Sequence, residues 1–210
     1  MHEVTQQVRT VQLGLVQYES SLKKMREFTA DRNESTTDEF WLLEHPPVYT
    51  LGLAANAAYG PKIGNGIPVI QVERGGEVTY HGPGQLVLYT LIDLARRGIK
   101  VKQFVFLLEQ SVIDLLDGRG ERRPGAPGVY VEGAKVAALG IRVSRGCAFH
   151  GLALNIDMDL APFDAIDPCG YPGLRVTQTR DLGFDFTVRS AGARLAEILA
   201  RNLDRVLDHA

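Results

Sequence analysis

The chain has 210 residues, 45% of them apolar and 23% charged, with a net charge of -2. That length and mix suit one soluble globular domain over residues 1–210, and a chain without a basic surplus is not built to neutralise nucleic-acid phosphates. Two cysteines, Cys147 and Cys169, are too few for a disulfide framework; with no secretory signal in MHEVTQQVRTVQLG and no apolar run near the ~18 residues that cross a bilayer, a reducing cytoplasmic setting is expected.

Val8 to Leu15 reads as a strand and Tyr18 to Ala30 as a polar-faced helix, followed by a turn-rich loop from Asp31 to Asp38. The run EFWLLE, Glu39 to Glu44, predicts a short buried strand stopped by Pro46 and Pro47, because proline cannot donate to a ladder. Extended structure resumes at Val48 to Leu53, and Ala54 to Gly66 is a long loop rich in small residues. Val69 to Glu73 and Glu77 to Tyr80 read as two strands joined at Arg74-Gly75-Gly76, and Gln85 to Leu91 as a further strand. In Val101 to Leu116, Phe104, Leu108, Val112 and Leu115 recur at helical spacing. Beyond a basic, glycine-rich connection, strands are expected at Val129 to Glu132, Lys135 to Val143 and Ala148 to Asp157. A final helix, Val188 to Asp208, carries a stripe of Leu195, Ile198, Leu199, Leu203, Val206 and Leu207. Strands outnumber helices without βαβ alternation, which implies an α+β chain: a mixed or antiparallel sheet with helices packed against it.

Two residues stand out chemically. By strand alternation Lys135 shares a face with Ala137, Leu139, Ile141 and Val143, an odd place for an ammonium because desolvating it is costly. A strand-end lysine with a packed stem and a wet head is the plainer reading. Cys169 lies in Pro168-Cys169-Gly170, where no apolar periodicity draws it into a core, whereas Cys147 suits a small buried hydrophobe. A free thiol has a pKa near ~8.5, and a neighbouring ammonium lowers it by ~1–2 units. Lysine beside cysteine would make a nucleophile and its proton partner, the two groups acyl transfer needs.

The stretch Arg74-Gly75-Gly76-Glu77-Val78-Thr79-Tyr80-His81 reads as a wall of the same site, since glycine lets backbone approach a ligand; two ordinary hairpin turns are the alternative. Ala138-Leu139-Gly140 and Gly151-Leu152-Ala153 are strands of small residues that leave room for a linear apolar chain. Burying an eight-carbon chain there would gain roughly 5 kcal/mol at ~0.8 kcal/mol per methylene. His81 and His150 are secondary candidates for proton transfer, although a lone histidine is more often a hydrogen-bonded structural residue. No zinc-ligand spacing, serine-hydrolase elbow, phosphate loop or dinucleotide fingerprint is present.

Several stretches together resemble the lipoyl(octanoyl) transferases of lipoate biosynthesis: WLLEHPPVYTLG from Trp41, RGGEVTYHGPGQLVLYTLIDL from Arg74, most of KVAALGIRVSRGCAFHGLALNIDMDL from Lys135, and Pro168-Cys169-Gly170. Thr90 departs from the proline common at that place in the family. The resemblance implies the fold of biotin and lipoate protein ligases, related to class II aminoacyl-tRNA synthetase cores. It implies Cys169 as nucleophile, Lys135 as the lysine that lowers its pKa, and residues 74–81, 138–140 and 151–153 as substrate-binding segments. It implies an acyltransferase that moves octanoyl from octanoyl-acyl carrier protein, through an acyl-cysteine thioester, to a lysine of lipoyl domains in 2-oxoacid dehydrogenase complexes and the glycine cleavage H protein. No ATP, metal or other cofactor, no nucleic acid and no membrane would take part. Rival readings are an ATP-dependent lipoate–protein ligase or an octanoyl/lipoyl amidotransferase on the same fold, and a non-catalytic module that holds acylated carriers. Two basic clusters, Arg96, Arg97, Lys100 and Lys102, and Arg119, Arg122 and Arg123, are candidates for steering an acidic carrier protein.

Overall fold

The computed structural model describes residues 7–55, 66–167 and 173–207, the side chains of residues 206 and 207 excepted. Strand β1 (Val8–Leu15) leads into helix α1 (Tyr18–Ala30), and β2 (Asp38–Glu44) follows. Next come β3 (Val48–Leu51), β4 (Val69–Gln71), β5 (Val78–His81) and β6 (Gln85–Asp93). Helix α2 (Val101–Leu115) precedes β7 (Gly128–Val131), β8 (Ala134–Ser144) and β9 (Cys147–Asn155); a 3-10 turn at Ala161–Ala165 and helix α3 (Val188–Leu207) complete the order. Among the described residues no helix is long and apolar enough to cross a membrane.

Six strands form the main sheet in the order β1-β2-β6-β9-β8-β7. Only β1 and β2 are parallel; the other neighbours are antiparallel, as the lack of βαβ alternation implies. Both faces are covered, so β2 and β6 read as near-continuous apolar runs rather than alternating ones. Phe40, Leu42, Leu86 and Leu88 meet α2 and α3 on one face, through Phe104, Leu108, Val112, Leu195, Leu199 and Leu203. Their neighbours Trp41, Leu43, Val87 and Tyr89 point the other way, onto Tyr18, Leu22 and Met25 of α1. The expected stripe on α3 is buried at Leu195, Ile198, Leu199 and Leu203, whereas the side chains of Val206 and Leu207 fall outside the described residues.

A second sheet of three strands has the order β4-β3-β5. The alternative reading of a hairpin turn at Arg74-Gly75-Gly76 does not hold: β4 runs parallel to one edge of β3 and β5 antiparallel to the other. The chain from Val72 to Glu77 is therefore a crossover strap rather than a hairpin turn. A third cluster, with Tyr49, Val78, Tyr80, Phe163 and Ile166, packs this small sheet on the 3-10 turn.

The end of β2 and β6 away from this small sheet is tied by a buried ionic knot. The Asp38 carboxylate takes Arg32, Arg96 (2.8 Å) and Arg97 (2.7 Å) together with the Asp93 amide (2.9 Å). Burial alone would raise the Asp38 carboxyl, but the Asp93 amide and the Arg97 and Arg32 guanidiniums outweigh it and hold the group below its usual range. Arg96 and Arg97 are thus committed to Asp38 and do not form the docking cluster expected with Lys100 and Lys102.

Candidate active site

Strands β8 and β9 lay down the floor. Ala138 faces Ala153 and Gly140 faces Gly151 across the ladder, while Leu139 and Leu152, between them in register, pack toward α2 and α3. Two adjacent pairs of the smallest side chains leave a trough in the opposite surface of the sheet. The strap from β4 to β5 crosses it: the Gly75 amide donates to the Ile141 carbonyl at 3.0 Å. Gly140 is required for that approach, since a Cβ there would sit 2.7 Å from the Gly75 carbonyl oxygen and 3.1 Å from Arg74 Cδ. A Cβ on Gly52 would likewise overlap the Gly76 carbonyl.

Arg74 fastens the strap from below. Its Nη2 donates to both the carbonyl and the hydroxyl of Thr50, each at 2.8 Å, and Nη1 donates to the Gly75 carbonyl. One residue earlier, Glu73 forms a bidentate pair with Arg26 of α1 (2.7 and 2.5 Å). The Arg26 guanidinium, hydrogen-bonded and adjacent, holds the Glu73 carboxyl below its ordinary value. The trough is closed into a cavity of about 50 Å³, room for roughly four water- or methylene-sized groups.

Of the residues expected in the binding segments, Arg74, Gly76, Glu77, Val78, Thr79, His81, Ala138, Leu139, Gly140, Gly151, Leu152 and Ala153 line this one cavity, and so does His150. Gly75 and Tyr80 do not. Gly75 faces an adjoining apolar groove, and Tyr80 turns to Tyr49 and Phe163, because alternate residues of β5 point to opposite sides. Tyr18, Val87 and Tyr89 also line the cavity and were not singled out from the sequence. The available signal was the alternation of VLY in β6, which sends Val87 and Tyr89 to the same face as Trp41.

A cluster of histidines and tyrosines forms the end wall. Tyr18 packs on His45 (4.9 Å between ring centroids) and His81 (5.8 Å), and Tyr89 on His45 and His150. His45 Nδ1–H donates to the Val16 carbonyl at 2.6 Å, which leaves Nε2 to accept from the Tyr89 hydroxyl at 2.7 Å. His81 Nδ1 meets Gln85 Oε1 at 2.7 Å; the Gln85 amide nitrogen donates to Asn155, so the oxygen accepts from the ring. Burial keeps all three histidines neutral, with pKa values near 4 for His45, about 3 for His81 and about 4 for His150. Burial also pushes the Tyr18 hydroxyl up to about 12.

His150 reaches this wall through an unusual backbone. Its φ of 61° is left-handed within a strand, and its ring stacks on its neighbour Phe149 (5.1 Å) on the α1 side of the sheet. The β6–β9 ladder lapses there, and the Thr90 hydroxyl donates to the His150 carbonyl at 3.0 Å. That contact gives a physical role to the threonine that departs from the family pattern. Neither ring nitrogen of His150 has a hydrogen-bond partner among the described residues.

Lys135 differs from its expected placement. The β7–β8 register shifts between Val129 and Tyr130, and both Val136 and Ala137 belong to the core beneath α2 and α3. This bulge reverses the alternation, so Lys135 leaves the face of Leu139 and Ile141 for the trough side. Its Nζ donates to the Pro127 carbonyl at 3.2 Å and lies 5.1 Å from the Tyr130 ring centroid. Pro127 belongs to the apolar groove that shares Gly76, Glu77, Leu139 and Gly140 with the cavity. Where β9 turns away, the returning chain takes its place beside β8. The Lys135 amide donates to the Arg175 carbonyl (2.8 Å), and the Thr177 amide donates to the Lys135 carbonyl (2.9 Å). Cys169 lies outside the described residues. Cys147 is buried at the far end of β9, and burial, with Asp93 nearby, pushes its thiol up. Among the described residues no group of three histidine, cysteine, aspartate or glutamate side chains is placed to hold a metal ion.

Residues 17–200 match the model of the lipoyl protein ligase A/B catalytic domain. The chain belongs to this family. Among lipoyl protein ligase A/B relatives, it is 53% identical over 196 residues to the octanoyltransferase of Dechloromonas aromatica (strain RCB), covering 92% of this chain and 95% of that protein. It is 55% identical over 193 residues to the octanoyltransferase of Thiobacillus denitrificans (strain ATCC 25259 / T1), covering 90% and 88%. A crystal structure of lipoate-protein ligase A bound with ATP superimposes with a TM-score of 0.75 at 16% identity, over 93% of this chain and 85% of that one. The biotin protein ligase of Aquifex aeolicus follows at 0.56 and 14%, over 95% and 71%. The lipoyl protein ligase A/B fold, with its class II synthetase-like core, is thus the fold of this chain.

Proposed function

We propose that this protein is an octanoyltransferase, taking an octanoyl group from octanoyl-acyl carrier protein and attaching it to a lysine of a lipoyl domain. The observation that carries the reading is the identity of 53–55%, over nine-tenths of the chain, to proteins named octanoyltransferase. The geometry supports it: the floor is a trough of alanine and glycine suited to methylenes, with neutral histidines and tyrosines at its end wall, adjoining a groove at whose edge an ammonium is held.

The Cys169 thiolate attacks the carbonyl carbon of the donor thioester. The bond from that carbon to the carrier's sulfur breaks, and the carrier leaves as a thiolate that takes the proton of the Lys135 ammonium. The acceptor lysine, as a free amine, then attacks the acyl-cysteine. Its nitrogen forms the amide, the Cys169 sulfur departs as thiolate, and the surplus amine proton passes to Lys135, left neutral by the first step, restoring its ammonium. Lys135 stabilises the thiolate before the first half-reaction and again after the second. A thioester becoming an amide runs downhill, so ATP is not needed to drive it. In sequence, Cys169 stands between Asp167, which adjoins the cluster beneath Val78 and Tyr80, and Arg175, whose carbonyl holds the Lys135 amide.

Incubating the pure protein with octanoyl-carrier protein in the absence of ATP tests this. Mass spectrometry should find one octanoyl group, labile to hydroxylamine, on Cys169, and none on Cys169→Ala. A strict requirement for ATP would indicate a ligase, and the absence of any adduct would indicate a carrier-holding module.

A further inference from the structure

On the far side of Lys135 from the acyl trough, two arginines converge on the turn between β7 and β8. Arg123 Nη2 donates to the Gly133 carbonyl at 3.1 Å and Arg175 Nη2 to the Glu132 carbonyl at 3.0 Å. Both nitrogens approach the one edge of Gly133, 3.5 and 3.6 Å from where a Cβ would stand, which bounds their separation at about 7 Å. Together with Tyr130, Ala126 and Leu174 they line a groove of about 380 Å³. Arg123 lies 4.3 Å above the Tyr130 ring whose centroid is 5.1 Å from Lys135 Nζ, so the two cations are no more than about 9 Å apart. The Arg175 carbonyl is fixed to the Lys135 amide.

The remaining members of the basic loop are occupied elsewhere. Arg122 pairs with Glu109 (3.3 Å) and covers Phe106, while Arg119 donates to the Leu182 carbonyl over Phe184. The carboxylate paired with Arg123 is Glu121, at a loose 3.9 Å and largely exposed; such pairs contribute little. The groove therefore carries a positive charge surplus beside the proposed reaction centre.

We propose that Arg123 and Arg175 recognise carboxylates flanking the acceptor lysine, so that the enzyme selects an acidic peptide loop as its acceptor. The proposal rests on the octanoyl-transfer reading above. Reach decides between acceptor and donor. A lysine Cα stands ~6 Å from its Nζ in extended geometry, which puts a neighbouring carboxylate ~8–10 Å from the attacking nitrogen, matching the span of no more than about 9 Å from Lys135, which takes that nitrogen's proton, to Arg123. The phosphodiester of a pantetheine arm lies thirteen bonds from its sulfur, roughly 16 Å when extended, and exceeds that span. Planar guanidiniums suit carboxylates, which they bind through paired hydrogen bonds.

The test uses the full chain, pre-acylated by octanoyl-carrier protein, and two synthetic lysine peptides, one with aspartates beside the lysine and one with asparagines. The expected result is a kcat/KM about tenfold higher for the aspartate peptide, and loss of that preference in Arg123→Gln/Arg175→Gln. The fall should be confined to the second half-reaction, with the urea midpoint showing that the variant is folded. Equal rates for the two peptides with the native enzyme, or an equal fall in acylation by the carrier protein, overturns the proposal. If no acyl-enzyme forms, the octanoyl-transfer reading has failed. Titrating labelled forms of both peptides against the unacylated protein still decides the charge preference.

Discussion

Gly140→Ala is the sharpest probe of how the acyl cavity is built. The added methyl meets the Gly75 carbonyl oxygen at 2.7 Å and Arg74 Cδ at 3.1 Å. Restoring ordinary van der Waals separation requires the strap to move by about 0.7 Å. It cannot do so freely, because the Gly75 amide is bonded to the Ile141 carbonyl at 3.0 Å and Arg74 to Thr50 at 2.8 Å. Stretching the first bond to about 3.7 Å forfeits roughly 1 kcal/mol, and overpacking of this kind costs about 1–3 kcal/mol in all. The sheet beneath is held by its own ladder, so the cost falls on the strap and on the cavity it roofs. Single-turnover acylation measured against donor concentration should therefore show half-saturation rising about tenfold, with the urea midpoint of the whole chain lowered by much less than a cavity-forming core substitution would lower it. Unchanged half-saturation, with unchanged stability, would falsify the picture of a strap pressed on β8.

Three further expectations concern charge. Lys135→Ala removes the ammonium beside Pro127 and Tyr130, and should shift the pH profile for alkylation of Cys169 upward by about 1–2 units; an unchanged profile would mean that the two groups never meet. Asp38→Asn leaves Arg32 and Arg97 buried without their counter-charge and should cost about 3–5 kcal/mol in urea unfolding at pH 7. In the native chain the folded Asp38 carboxyl lies below its unfolded value of 3.8, so its contribution is complete above that pH and is lost as pH falls through the folded value; a variant whose stability loss stays the same below pH 3 contradicts this. His45, His81 and His150 titrate in the opposite circumstance. Their folded values of about 3 to 4 lie below the unfolded 6.5, so the unfolded chain takes protons first and stability declines as pH drops from 6.5 toward 4. His81→Gln should flatten that decline in a series of urea midpoints, and a slope equal to that of the native chain would show that His81 does not titrate this way.

Much of this molecule was legible before its coordinates, and the failures share a cause. The sequence reading placed Val8–Leu15 and Tyr18–Ala30 with the observed bounds; the helix buries one face through Tyr18, Leu22 and Met25, whereas the edge strand is at most half-buried. The hairpin alternative for β4 and β5 arose because adjacency in sequence favours one, whereas the bonds of β3 to both strands are long-range and leave no local mark. Lys135 was assigned to the wrong face because alternation assumes an unbroken ladder, and nothing in GAKVAAL announces a register shift. His150 was recognised as a candidate by residue type, but its left-handed backbone depends on the Thr90 hydroxyl, sixty positions away. The smallness of Ala138, Gly140, Gly151 and Ala153 was visible as composition, while their meeting in facing pairs came only from the register of β8 and β9.

That extra residue in β8 works like a half-step in a two-beat rhythm. Removing one position between Lys135 and Ala137 would leave the hydrophobicity profile of the strand nearly untouched, yet it would swing the amine into hydrocarbon beneath the helices. Length in this short span is therefore under tighter constraint than identity. A chain could trade Val136 for another branched side chain and keep its chemistry, but could not shed it.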